Sequence, residues 1–302
     1  MKRLELDRPV VCIAGPTASG KSDYALDVAK AVGGEIVNAD ALQVYTDLTV
    51  LSARPTEAEM EGIPHHLFGH VAGGTAYSTG QWLREVAPVL EDIDRRGRVA
   101  VLVGGTGLYF QSLFKGLADI PEVPDSLQSQ LDAQAICELR AEAERVDPVA
   151  AARVLGDDPQ RLARIVGVHK ATGRALSAWQ AETHPVITPD RAHRAVLLPD
   201  RAALYDRINR RFDHMVEAGG LDEARRVADR DYPIRSPILK AIGLSHLLRH
   251  LDGELDLDRA VELAKRDTRR FAKRQMSWFR NRCADWDVLE TPADRARFVD
   301  AL

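Results

Sequence analysis

Gly15-Pro16-Thr17-Ala18-Ser19-Gly20-Lys21-Ser22 is a complete G-x-x-x-x-G-K-S phosphate loop, and the residues on both sides supply the context it needs. Before it, Val10-Val-Cys-Ile-Ala14 is a short, β-branched apolar run that reads as a buried strand. After it, Ala25, Leu26, Val28, Ala29 and Val32 recur at helical core spacing until Gly33-Gly34 stops the pattern. In such a strand-loop-helix unit, glycines let backbone N–H groups wrap an anion, and the helix N-terminus adds partial positive charge. Lys21 then rides on the terminal phosphates, and the Ser22 hydroxyl is the expected Mg²⁺ ligand. The loop specifies a di- or triphosphate; it does not specify ATP.

Working outward, residues 35–40 read as a second short strand closed by Asp40. Ligands of open α/β sheets sit beyond the C-terminal strand ends, so Asp40 is expected to face the same crevice as Lys21. An irregular stretch follows through Arg54-Pro55 and Ile63-Pro-His-His66. Helical periodicity at Trp82, Val86, Val89, Leu90 and Ile93 ends at Gly97. Val99-Ala-Val-Leu-Val103 is the clearest buried strand, and it runs into a second glycine turn, Gly104-Gly-Thr-Gly-Leu-Tyr109. Residues 125–180 hold no strand pattern; helices are predicted over 127–139, 148–155 and 161–180, capped by Asp125, Asp147 and Asp158. Ala192-His-Arg-Ala-Val-Leu-Leu198 returns to strand character, and helices are predicted over 204–218, 221–230, 237–251 and 257–281. The fold class expected is therefore α/β, a P-loop NTPase-like parallel sheet flanked by helices. Residues 1–118 and 190–302 form its core, and residues 119–189 an all-helical insertion domain.

Composition bounds the function. A chain of 302 residues with 45% hydrophobic and 28% charged content is an ordinary globular protein. Its net charge of −4 requires any nucleic-acid contact to be local. Cys12, Cys137 and Cys283 are widely spaced without a C-x-x-C pair, which argues for a reducing compartment and against structural zinc. No apolar run approaches a membrane span, and the opening Met-Lys-Arg-Leu-Glu lacks the apolar core of a signal peptide, so a cytoplasmic location without membrane association is expected.

Three groups carry chemistry. Asp40 reads as a magnesium-shell carboxylate, as a general base, or as a simple loop cap. Thr106 offers a hydroxyl near the phosphate loop, or is a turn residue. Between Lys265 and Arg282 stand Lys265, Arg266, Arg269, Arg270, Lys273, Arg274, Arg280 and Arg282 against the single acid Asp267, interleaved with Phe271, Trp278 and Phe279. That imbalance points to a polyanion, and Arg161, Arg164, Arg207, Arg210 and Arg211 add to it. His65 and His66 are adjacent and project apart, with no further ligand at metal spacing.

With these stretches in hand, the chain resembles the tRNA dimethylallyltransferases, or isopentenyl-pyrophosphate transferases. The blocks occur in order: the phosphate loop; Asp40-Ala41-Leu42-Gln43-Val-Tyr45; Ile63-Pro-His-His-Leu67; Val103-Gly-Gly-Thr-Gly-Leu-Tyr109; Asp158-Pro-Gln160-Arg161-Leu162-Ala163-Arg164; Ala241-Ile-Gly243; and Thr268-Arg-Arg-Phe-Ala-Lys273-Arg274-Gln-Met-Ser-Trp-Phe-Arg280. Ala41-Leu42 stand where the family has Ser-Met, and Leu244-Ser-His246 where it has Tyr-Lys-Glu. The resemblance implies transfer of a dimethylallyl group from dimethylallyl pyrophosphate to N6 of adenosine-37, 3′ of the anticodon, with Mg²⁺ as cofactor. It implies catalytic roles for Asp40, Thr106 and Lys21, a pyrophosphate site in Gly15 to Ser22 with Arg207, and a general-base role for Asp40. Contact with the tRNA anticodon stem-loop is implied for residues 40–43, for residues 160–164, and for Lys273 and Arg274, with Gln43 on the flipped base or its neighbours; a monomer is expected. The competing readings are a small-molecule or nucleotide kinase, a non-catalytic RNA-binding module, and a transferase acting on free AMP or ADP.

Overall fold

The computed structural model describes residues 3–234 and 236–302; Met1 and Lys2, at the head of the N-terminal segment read above, lie outside them. The chain separates into two compact units, one of residues 112–186 with Arg3, the other of residues 4–111 and 187–302.

The larger unit begins with β1 (Val10–Ala14), α1 (Lys21–Val32), β2 (Gly34–Asn38), α2 (Glu57–Met60), β3 (His65–His66), α3 (Thr79–Arg95), β4 (Val99–Gly104) and α4 (Gly107–Lys115). After the smaller unit it resumes with β5 (Ala192–Leu197). The six strands, closed by the late β6 (Asp287–Leu289), pair in the order β3-β2-β4-β1-β5-β6, and every ladder is parallel. Parallel strands need both faces covered, which is why β1 reads as an unbroken apolar run and is buried throughout. On one face Val11, Ile13, Val101 and Leu197 pack with Ala25 and Val28 of α1. Gly104 ends β4 where a Cβ would lie 2.0 Å from the Ala39 carbonyl oxygen, so only glycine lets these two backbones approach.

The smaller unit is helical: α5 (Asp125–Asp132), α6 (Ile136–Val146), α7 (Pro148–Ala151), α8 (Pro159–Thr172) and α9 (Leu176–Ala181). Asp147 and Asp158 cap α7 and α8 through the N–H groups of Ala150 and Arg161. Asp125 does not cap; Pro124 holds that position and Asp125 is the first helical residue. The helix predicted over 127–139 is two helices, because the break at residues 133–135 lets Leu131 and Leu139, 1% and 2% exposed, enter the same core. The helix over 161–180 stops at Gly173, in left-handed conformation at φ 71°.

The return to the larger unit adds α10 (Arg201–Met215), a π-turn (Val216–Gly220), α11 (Leu221–Asp229), a 3₁₀ turn (Pro237–Lys240), α12 (Leu244–Leu251) and α13 (Leu257–Arg282). The helix predicted over 237–251 is broken by Gly243 at φ 90°, where a Cβ would meet the Phe212 ring at 2.6 Å. Five elements had no counterpart in the sequence reading: α2, β3 and α4, and the late β6 and α14 (Pro292–Asp300). His66 Nε2 meets the buried Glu35 carboxylate at 2.7 Å, and Arg96 holds the same group. That carboxylate is drawn down to about 2, first by the Arg96 hydrogen bond.

Candidate active site

Gly20 caps α1 in left-handed conformation at φ 83°, and Ala18 is left-handed at φ 61°. Alternating right- and left-handed residues is the backbone geometry that turns successive N–H groups toward an anion. Ser19 is 0% exposed and its Oγ has no partner. Arg207, on α10, donates to the Ser19 carbonyl at 3.4 Å, while its buried Nε has no partner. The Lys21 ammonium lies 3.5 Å from the Pro16 carbonyl. Loss of water pushes Lys21 down to about 8; Asp40 opposes the shift and Arg211 adds to it. Burial likewise lowers Arg211, with Asp40 and Asp23 opposing. Clustered cations and unsatisfied donors around one loop are the donor set that a multiply charged anion requires.

Asp40 sits in a turn fixed from three directions. Its N–H donates to Asn38 Oδ1 at 2.8 Å, its Oδ1 accepts from Leu42 N–H at 3.0 Å, and Thr106 Oγ1 accepts from Ala41 N–H at 2.9 Å. Thr106 N–H in turn donates to the Ala39 carbonyl at 3.2 Å. One Asp40 oxygen is thereby engaged with backbone. The other faces Gly105, at 3.4 Å from where a Cβ would stand.

A residue that the sequence reading passed over joins the two halves. Gln275 of α13, 7% exposed, accepts from Thr17 N–H at 2.9 Å and donates to the Gly105 carbonyl at 2.9 Å. It was visible only as one letter of a basic motif, since its partners lie 258 and 170 positions away.

These parts enclose a cavity of about 610 Å³. Thr17 and Ala18 border it with Asp40, Ala41, Leu42, Thr106 and Gln275, and Ile208, Phe212, Phe271, Trp278 and Phe279 supply apolar wall. Arg211, Lys240 and Arg274 contribute its positive charge. Lys21, Ser22 and Arg207 are not among the lining residues; they stand around the loop, Lys21 and Arg207 half-buried and Ser22 exposed.

Several assignments change with the side chains in view. The Gln43 amide donates to the carbonyls of Ser52 at 3.1 Å and Ala53 at 2.7 Å, so its donors serve the neighbouring turn and its oxygen alone is left for a ligand. Leu162 and Ala163, 0% and 1% exposed, belong to the core of the helical unit; Gln160, Arg161 and Arg164 are the exposed members of that block. Of the eight cations from Lys265 to Arg282, half have partners inside the protein: Lys265 pairs with Asp213, Arg266 and Arg270 with Asp267, and Arg269 with Asn209. Lys273, Arg274, Arg280 and Arg282 stand exposed.

Fold and site together define a phosphate-loop α/β protein in which a carboxylate turn faces the loop across a partly apolar cavity. Residues 43–282 match the IPP transferase family, and residues 8–68 match isopentenyl transferase. The chain is 50% identical over 298 residues to the tRNA dimethylallyltransferase of Maricaulis maris (strain MCS10), covering 97% of this chain and 96% of that one. It is 48% identical over 301 residues to the tRNA dimethylallyltransferase of Caulobacter sp. (strain K31), covering 98% and 97%. Among solved structures, the full-length tRNA isopentenylpyrophosphate transferase from Bacillus halodurans is similar with a TM-score of 0.71 at 31% identity, covering 98% of this chain and 95% of that one. A eukaryotic dimethylallyltransferase acting on tRNA is similar with a TM-score of 0.82 at 27% identity, covering 94% and 74%. The chain belongs to the IPP transferase family, whose curated relatives here are tRNA dimethylallyltransferases.

Proposed function

We infer that the chain transfers the dimethylallyl group of dimethylallyl diphosphate to N6 of adenosine-37 in tRNA. The observation that carries the reading is the shared cavity, in which phosphate-loop residues Thr17 and Ala18 face Asp40 and Thr106 across apolar wall. A kinase needs no such wall opposite its phosphates.

In the reaction the C1–O bond of the donor breaks, a C1–N6 bond forms, and one proton leaves N6. Negative charge gathers on the departing diphosphate, so Lys21, Arg207 and the loop N–H groups stabilise the transition state more than the ground state. The Ser22 hydroxyl, exposed on the first turn of α1, would hold a Mg²⁺ ion, and such an ion would supply further positive charge to the leaving group. Adenine N6 is a weak nucleophile; the Asp40 oxygen facing Gly105 takes its proton as it attacks. The Thr106 hydroxyl accepts from Ala41 and keeps its own hydrogen to donate toward the base. Adenosine must leave its stack to reach these groups, which is cheapest in an unpaired loop. Exposed Gln160, Arg161 and Arg164, and Lys273 and Arg274, meet the anticodon stem-loop through phosphates. Cys12, Cys137 and Cys283, none joined in a disulfide among the described residues, fit a cytoplasmic enzyme, working as a monomer.

The test incubates protein, Mg²⁺ and radiolabelled dimethylallyl diphosphate with an anticodon stem-loop, beside Asp40→Ala and ATP-only arms. Label enters the RNA with the unsubstituted chain and falls at least about a hundredfold with Asp40→Ala. ATP consumption with a small acceptor and no labelled RNA points instead to a kinase.

A further inference from the structure

One helix that the sequence did not announce carries an arginine with no role in the account so far. Arg295 lies in the first turn of α14, its guanidinium over the Tyr24 ring at 5.8 Å. Tyr24 belongs to the first turn of α1, its N–H bonded to the Gly20 carbonyl at 3.2 Å, and its hydroxyl donates to the Arg295 carbonyl at 2.9 Å. Arg295 is thus tied to the helix that the phosphate loop opens.

At the loop itself stands Arg207, whose guanidinium reaches the Ser19 carbonyl and lies 3.7 Å from where a Cβ on Gly20 would stand. The two guanidinium groups feel each other: after burial, Arg295 is the first cause lowering the Arg207 pKa. Both Nε atoms are buried and neither has a partner among the described residues. No carboxylate pairs with Arg295 among the described residues, although Asp294 is adjacent in sequence and engages Thr291 and Arg297 instead. Two like charges with desolvated, unsatisfied donors are costly side by side unless an anion lies between them. Arg207 at Ser19 and Gly20, and Arg295 over Tyr24 in the first turn of α1, put that anion at the phosphate loop.

We propose that Arg295 is a substrate-binding residue that, with Arg207, clamps one phosphoryl group of the diphosphate at the outer edge of the phosphate loop. The assignment rests on the diphosphate reading of that loop. Arg295 donates its Nε–H and a terminal N–H to phosphoryl oxygens, a fork that matches phosphate better than a lysine does. The C-terminal segment thereby completes the leaving-group site.

Titration calorimetry with inorganic diphosphate and Mg²⁺ on the full chain, Arg295→Ala and Arg295→Lys tests this directly. The expected result is affinity about tenfold weaker for Arg295→Ala and intermediate for Arg295→Lys, with anticodon stem-loop affinity unchanged within about twofold. Equal diphosphate affinity for all three chains overturns the role of Arg295 and leaves the loop assignment standing. No binding by the unsubstituted chain overturns both. Should Arg295→Ala fold poorly, ¹⁵N spectra of arginine side chains in the unsubstituted chain decide: the Arg295 Nε–H resonance shifts on adding diphosphate, and an unmoved resonance refutes the clamp.

Discussion

Lys21 is held against its own hydration. Burial brings its ammonium down to about 8, so a growing fraction of the protein has lost that charge above this pH. A bound diphosphate restores the ammonium by pairing with it, and binding at higher pH must then take up a proton. Diphosphate affinity should fall by up to about tenfold per unit as pH climbs above that value. Calorimetry at pH near 9 in buffers of different ionisation enthalpy should read the proton uptake, and Lys21→Met should abolish it. Buffer-independent heats with the unsubstituted chain would place Lys21 outside the diphosphate site. Asp40 shows the opposite economy, because its turn is set by its own N–H, by Leu42 and by Thr106, leaving one oxygen toward Gly105. Substituting Thr106 therefore disturbs the carboxylate without touching it.

At the level of elements, the close packing of α13 on the start of α4 makes a sharp expectation. A Cβ on Gly107 would lie 2.3 Å from the Trp278 ring, which walls the cavity. Gly107→Ala should displace that indole, costing about 1–3 kcal/mol of stability and shifting the tryptophan emission. Activity should fall with it, and an unchanged spectrum with full activity would mean the helices give way freely. Most elements that build this site announce themselves: β1 and β4 are continuous apolar runs, β5 ends in a buried Ala-Val-Leu run, and α1 and α3 carry long helical periods. What stayed hidden has a physical cause in each case. β6 is three residues long, too short for a pattern, and so the helix after it was unmoored. Helix breaks at residues 133–135 and at Gly243 answer to core neighbours, Leu131, Leu139 and Phe212, that no local window contains. The bridging role of Gln275 belongs to the same class, since an amide between two backbones is invisible until both are folded.

For the molecule as a whole, charge is a matter of placement. The net charge is −4, yet Lys273 and Arg274 lie exposed, Arg274 lining the cavity, while Lys265 is tied to Asp213. Replacing Lys273 and Arg274 by Ala should weaken tRNA binding and flatten its dependence on salt, by about one to two units of log–log slope. Filter binding across salt concentrations measures this; an unchanged slope removes that helix face from the interface. One last property follows from how the sheet is bounded. Its two outermost strands, β3 with two residues and β6 with three, are the shortest it has. A parallel sheet that tapers this way presents almost no open ladder to another copy, so its four long inner strands are shielded from edge-to-edge aggregation at high concentration.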